Sequence, residues 1–170
     1  MKKLITLLLI IFTITSYGQT TLDMDIFKVV NEYRIENNLT PWVWHQTVFK
    51  VAERHNNYQT QISDIYHGEP KNVKNHVEIN SLGGRFDDAG LGWGRCGENL
   101  AVVKSDGLTN SEIAKKTLRM WINSSSHNKL LLSPNINYIY AAISSTWTEE
   151  WVGSNGVHYW TYVTLNTYRK

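Results

Sequence analysis

Between Cys96 and His127 the chain carries its densest set of groups able to do chemistry. Cys96-Gly97-Glu98-Asn99-Leu100-Ala101 places a thiol and a carboxylate beside a glycine. Trp121-Ile122-Asn123-Ser124-Ser125-Ser126-His127 ends in an imidazole after three hydroxyls. A carboxylate and an imidazole brought together would serve acid–base chemistry or hold a cation. Each residue also has a plainer reading. Glu98 in a glycine-led segment can bind backbone amides, and Asn99 can fasten a loop from both ends through its amide. Trp121 falls on an apolar helix stripe and reads as core. Cys96 reads as a small buried hydrophobe. A serine nucleophile at Ser124, Ser125 or Ser126 lacks the Gly-x-Ser-x-Gly turn that exposes one.

The elements that must position these groups follow from periodicity and capping. Ile26, Val29, Val30 and Tyr33 recur at helical spacing, with Asp23 or Asp25 as the expected cap. Leu39-Thr40-Pro41-Trp42 is an extended link, because Pro41 disfavours helix at Thr40. Thr47 is the expected cap of a second helix that carries Val48, Val51, Ala52 and His55 on one stripe, so His55 points inward as a hydrogen-bonded core histidine. Residues 63–95 show neither helical nor strand period and read as one long loop, which presents His67 and His76. Thr109-Asn110-Ser111-Glu112 is a capping box that starts a helix through Ala114, Leu118, Trp121 and Ser125. Ser124 to Ser126 breaks it, and His127 to Leu132 makes a further turn. Tyr138 to Trp147 and Val157 to Asn166 are rich in β-branched and aromatic residues, with Gly153-Ser154-Asn155-Gly156 as the turn of a hairpin. Helices first and a hairpin last predict an α+β fold.

The 170 residues suit one domain over 19–170, preceded by a leader over 1–18. Lys2 and Lys3 precede an apolar run from Leu4 to Ile14, and small polar residues follow to a cut after Gly18. A run of about 11 apolar residues is too short for a bilayer span, which needs roughly 20, so it reads as a signal peptide and the chain as secreted, periplasmic or extracellular. No integral membrane segment is expected after that cut. Removing the two lysines from 17 basic residues leaves 15, against 15 acidic ones. A neutral chain argues against nucleic-acid partners. One cysteine excludes an internal disulfide, so the core alone must hold the fold. Seven tryptophans and nine tyrosines exceed what a core of this size needs, and some are expected to line a groove.

The paired motifs resemble the CAP family, the cysteine-rich secretory, antigen 5 and pathogenesis-related 1 proteins, in its bacterial, cysteine-poor form. Gly97-Glu98-Asn99-Leu100-Ala101, a helix, and Trp121-x-x-Ser124-x-x-His127 carry the resemblance. Asn31-Glu32-Tyr33-Arg34, Leu39-Thr40-Pro41-Trp42 and Ala52-Glu53-Arg54-His55 extend it, so that it spans about Asp25 to Val163. It implies an α-β-α sandwich with a central antiparallel sheet and an open cleft (the SCP domain). The family's cleft carries two histidines and two acids. His67 and Glu98 match the first of each, with His76 the other loop histidine able to take that place. Ser124 stands where the second acid belongs. The usual Gly-His motif is absent, and His127 replaces its histidine. The resemblance thus gives a cleft of His67, Glu98, Ser124 and His127, with Asn99 and Trp121 structural beside it.

Two functions follow. The first is a non-catalytic binding module for a small apolar ligand, a peptide or a cell-wall component. The second is a metal-dependent hydrolase or peptidase in which Glu98 is the base and a cation held by His67 and His127 activates water; His67, Glu98 and His127 are three groups that Zn²⁺ or another divalent cation accepts, with a fourth position staying open for water. Their separations of 31 and 29 residues are no local metal motif, and His-Glu-x-x-His is absent. The ligand and the oligomeric state are not encoded in any recognisable motif.

Overall fold

Thr20, not Asp23 or Asp25, caps the first helix. Its hydroxyl accepts from Asp23 N–H, and the Asp23 carboxylate returns the bond to Thr20 N–H at 2.7 Å, a capping box with aspartate in the third position. The computed structural model describes residues 20–152, 154 and 156–170. The leader over 1–18 lies outside them, as do Gly153 and Asn155 of the hairpin turn.

The elements run α1 (Thr21–Glu36), β1 (Val43–Trp44), α2 (Gln46–Ile62), α3 (Leu82–Asp88), β2 (Arg95–Lys104), α4 (Asn110–Asn123), α5 (Ser125–Leu131), β3 (Tyr140–Trp151) and β4 (Val157–Arg169). The four strands form one sheet in the order β1-β3-β4-β2. β2, β3 and β4 are antiparallel, whereas the two-residue β1 runs parallel to β3, so the sheet is mixed rather than wholly antiparallel. Three layers result, the α+β sandwich expected.

On one face, Ile26 and Val30 of α1 and Ala114 and Trp121 of α4 meet Ala101, Ile143, Val163 and Leu165 of the sheet. On the other, Val48, Phe49 and Val51 of α2 and Phe86 of α3 pack on Ala142 and Tyr168. The predicted stripes are therefore the buried ones, with Val48, Val51, Ala52 and His55 each at 1% exposure or less. Burial of these apolar side chains is the main force holding a chain whose single cysteine allows no internal disulfide. Along β4, Val163 and Leu165 share the α1–α4 side, and Tyr162 lies on the opposite side with Val102 as its β2 partner.

Further expectations are corrected. His45, not Thr47, caps α2: its Nδ1 accepts from Thr47 and Val48 N–H. The stretch 63–95 is not all loop. Ser81 caps a short helix through its hydroxyl, and burial of Arg85 and Phe86 outweighs the poor helix propensity of Gly83-Gly84. The glycine-led segment that carries Glu98 is part of a ten-residue strand, Arg95–Lys104. The α4 helix ends at Asn123, so Ser125 opens α5 instead of continuing the α4 face.

Arg34 locks α5 in place. It is fully buried, lies 4.0 Å over the Trp42 ring, and donates to Leu131 O at 2.6 Å, Ser133 O at 2.9 Å and Thr40 O at 2.9 Å. Burial lowers its pKa to about 10, still well above neutrality, so the guanidinium stays charged against these carbonyls. Asn31 fastens the extended link by bonding both N–H and C=O of Trp42.

Candidate functional site

Four elements converge beside β2: the loop after α2, α3, the α5 segment and the strand itself. The β2 strand lies at the edge of the sheet, with β4 on one side only. Glu98 faces the α2–α3 layer and sits opposite Asn166 of β4. Its side chain is 2% exposed, and both oxygens are engaged. Oε1 lies 3.0 Å from Nδ1 of His67, and Oε2 accepts from Arg85 Nη2 at 2.8 Å. Asn166, with its amide nitrogen turned to the carboxylate, donates to Oε2 at 3.0 Å. Arg85 also donates to His67 O at 3.0 Å, so one guanidinium holds both the carboxylate and the backbone that presents the imidazole.

His67 is largely open to water, with 64% of its side chain exposed. The bond to Glu98 raises its pKa; partial burial and Arg85 oppose that shift. His127 is half-buried at the start of α5, held there by Asn99, whose Nδ2 donates to His127 O at 3.0 Å. Its pKa is lowered by burial and then by the charge of His67. Ser124 is half-buried, its hydroxyl 3.2 Å from that of Ser126. Trp121 is fully buried and donates its indole N–H to Leu100 O at 3.0 Å. Burial, then the charge of Glu98, raises the Cys96 thiol, which works against a thiolate nucleophile.

His76 stands elsewhere. Its Nε2 is 3.0 Å from Oε2 of Glu69, a buried carboxylate that sequence reasoning missed. Glu69 also takes Arg54 Nη1 at 2.9 Å, Ile79 N–H at 2.6 Å and His55 Nδ1 at 3.1 Å. Burial alone would raise its pKa, but the bonds from His55, Ile79 and His76 and the charge of Arg54 outweigh it and lower it to about 2. His55 is the core histidine expected, and it stands between the two carboxylates: Nε2 is 2.8 Å from Tyr66 O and 3.8 Å from Oε1 of Glu98. Glu69 and Arg85 lie in the long aperiodic stretch, where no pattern marked them for burial.

Among the described residues no three His, Cys, Asp or Glu side chains stand together as metal ligands. The 3.0 Å between His67 and Glu98 is a hydrogen bond, and a cation bridging them would have to break it. It would also enter against the fixed charge of Arg85. Chemically the arrangement offers a pinned carboxylate, one imidazole disposed to carry a proton, one disposed to stay neutral, and hydroxyls beside them.

Several comparisons bear on this geometry. The chain is 27% identical over 127 residues to the uncharacterized membrane protein YlbC of Bacillus subtilis (strain 168), a match that takes in 71% of this chain and 31% of that protein. The chain thus spans about a third of the length of that relative. Its fold resembles the crystal structure of an extracellular protein containing a SCP domain from Bacillus anthracis, with a TM-score of 0.63 and 23% identity over 88% of this chain and 40% of that one. It also resembles an outer surface protein of Borrelia burgdorferi, with a TM-score of 0.60 and 20% identity over 89% and 96% of the two chains. No helix among the described residues is long and apolar enough to cross a membrane. The family model for CAP, the cysteine-rich secretory protein family, matches residues 27–163, from the middle of α1 to the middle of β4, and the chain belongs to that family.

Proposed function

We propose that this protein is an exported binding module whose cleft, lined by His67, Glu98, Ser124 and His127, takes a peptide or the peptide part of a cell-wall polymer without cleaving it. The observation that carries this reading is the state of Glu98. Its carboxylate is bonded on one oxygen by buried Arg85 and on the other by His67. A general base needs a carboxylate aimed at a water or a substrate proton, and this one is aimed at its own scaffold. The groups left facing the cleft are imidazoles and hydroxyls, which suit an amide-rich ligand better than a small apolar one. Export is supported by the amino-terminal apolar run and by the extracellular and outer-surface relatives.

Titration of the purified protein with soluble peptidoglycan fragments and with short capped peptides, followed by two-dimensional NMR, tests this. The expected result is saturable shifts centred on His67, Ser124 and His127, weakened by His67→Ala and His127→Ala, with the ligand intact by mass spectrometry. Cleavage that disappears in Glu98→Gln would instead make the protein a hydrolase. Zinc bound with one-to-one stoichiometry by calorimetry, and lost in both histidine variants, would restore the metal centre.

A further inference from the structure

On the other face of the sheet, five residues and more along β4 from Asn166, lies a pocket of about 400 Å³. It is walled by the first turns of α1 and α4 and by β3 and β4. Leu22 and Ile113 give it an apolar floor, and Thr21, Asn110, Trp147 and Tyr159 rim it. None of its lining residues carries a charge. None belongs to the His67–Glu98 cleft, so a ligand here is independent of the function proposed for that cleft.

Two properties of the pocket have no role in the fold. The first is an exposed aromatic pair. Trp147 is 64% and Tyr159 40% exposed, with ring centres 5.9 Å apart. Trp151 continues the stripe on the same face of β3, four residues or about 13 Å further on, and is also exposed. Large aromatic rings left in water in a row cost free energy that packing does not recover, which marks a contact surface. The second property is hydrogen-bonding capacity left over after the fold has used its share. Thr20 Oγ1 accepts from Asp23 N–H, and Thr21 Oγ1 accepts from Asn110 Nδ2 at 3.0 Å. The Thr20 hydroxyl is taken up by the Asp23 carboxylate, but among the described residues the Thr21 hydroxyl proton remains free to donate, as does that of Tyr159, and Asn110 Oδ1 remains free to accept. By contrast, the Ser105, Ser145 and Thr161 hydroxyls already donate, to Tyr159 O, Asp23 and Ser105 respectively.

A ligand matched to this surface has a flat apolar face for the aromatic rings, a rim of hydroxyls for Thr21 and Asn110, and no charge. A pyranose ring has all three: its axial C–H bonds form the face and its equatorial hydroxyls the rim. Glu149, between Trp147 and Trp151 on the same face, disfavours acidic sugars. We infer that this pocket and the Trp147–Tyr159–Trp151 stripe form a second binding site, for a neutral oligosaccharide, with the terminal ring seated between the α1 and α4 amino-termini and the next rings stacked along the hairpin.

Calorimetric titration of the full protein with chitotetraose and with cellotetraose tests the site. Saturable binding to either is expected. Trp147→Ala should weaken it about tenfold, the value of one lost aromatic contact. Thr21→Val should weaken it several-fold, and Trp93→Ala, which removes an equally exposed tryptophan far from the pocket, should leave it unchanged. All three positions are exposed, and circular dichroism verifies that each variant stays folded. Absence of saturable binding to both sugars overturns the inference, as does binding indifferent to Trp147→Ala and Thr21→Val. Sedimentation with phosphatidylcholine–phosphatidylglycerol vesicles that depends on Trp147, without sugar binding, would also overturn it by making the stripe a membrane contact.

Discussion

Arg85 Nη2 and Glu98 Oε2 are 2.8 Å apart, with neither side chain more than 2% exposed. The pair joins α3 to β2, and through His67 O it also fixes the loop between α2 and α3. Breaking one side of such a pair strands a buried charge, which costs about 3–5 kcal/mol, whereas replacing both sides by apolar groups is often near neutral. Arg85→Ala should therefore lower unfolding free energy in urea by about that amount. Arg85→Met combined with Glu98→Leu should recover much of it. A loss below about 1 kcal/mol for Arg85→Ala, the range of a surface pair, would mean that water reaches Glu98 and that the pair does not fix the cleft.

How far the sequence reveals this site depends on what holds each part. The α1 and α2 stripes and the Thr109 capping box are local patterns, and the structure keeps them. The β2 strand was not legible because Glu98, Asn99, Leu100 and Ala101 are all buried in succession, so the period-two alternation that marks a half-buried strand is missing. Two adjacent polar residues there look like a turn, yet each finds its partner on a different side: Arg85 for Glu98, His127 O for Asn99. Glu69 and Arg85 carry no local sign of burial, because only pairing across the fold makes burial of a charge tolerable. The same holds for the choice between His67 and His76. Both lie in an aperiodic stretch, and only tertiary placement sends one to Glu98 and the other to Glu69.

His67 and His127 should titrate on opposite sides of the ordinary histidine value. Glu98 raises the first; burial and then the charge of His67 lower the second. Imidazole proton shifts followed by NMR across pH 5 to 9 check the order. In Glu98→Gln the His67 midpoint should fall toward the unperturbed value of about 6.5, since a neutral amide keeps the contact but not the charge. For His67 the stabilising term is full below that value and fades as pH rises through the higher folded midpoint. Because the ring is mostly exposed, the effect on stability should be small. Equal midpoints for the two histidines would show that they do not share one electrostatic environment.

Acid should destabilise the protein through Glu69. Its carboxyl is held down to about 2, against an ordinary value of 4.5. A depressed carboxyl contributes stability that is full above the unfolded value and is lost as pH falls through the folded one, so the window is from about pH 4.5 to about pH 2. The size is on the order of 3 kcal/mol for a group this buried. Thermal unfolding followed by circular dichroism should show a midpoint that drops steeply in that window. Glu69→Gln should be less stable at neutral pH and show a flatter acid limb. An unchanged acid limb in that variant would place the sensitive carboxylate elsewhere.

Gly97 sets how closely α5, and with it His127, lies on β2. A Cβ built there would stand 2.5 Å from Leu130 Cδ1 and 2.8 Å from Thr167 Oγ1, nearer than any non-bonded pair tolerates. The Leu130 end can swing aside, but Thr167 is fully buried, and its hydroxyl donates to Gly97 O at 3.3 Å. Gly97→Ala should therefore push α5 away from the strand and cost about 1–3 kcal/mol, the usual range for overpacking. The sharper readout is local. Asn99 binds His127 O from the same strand, so the displacement should stretch that bond and weaken the influence of His67 on His127. NMR of Gly97→Ala should then show the His127 midpoint moving up toward its ordinary value while His67, held by Glu98 on the far side, keeps its own. If both midpoints stay in place while stability falls, the crowding is relieved at Leu130 alone, and Gly97 serves packing rather than the geometry of the cleft.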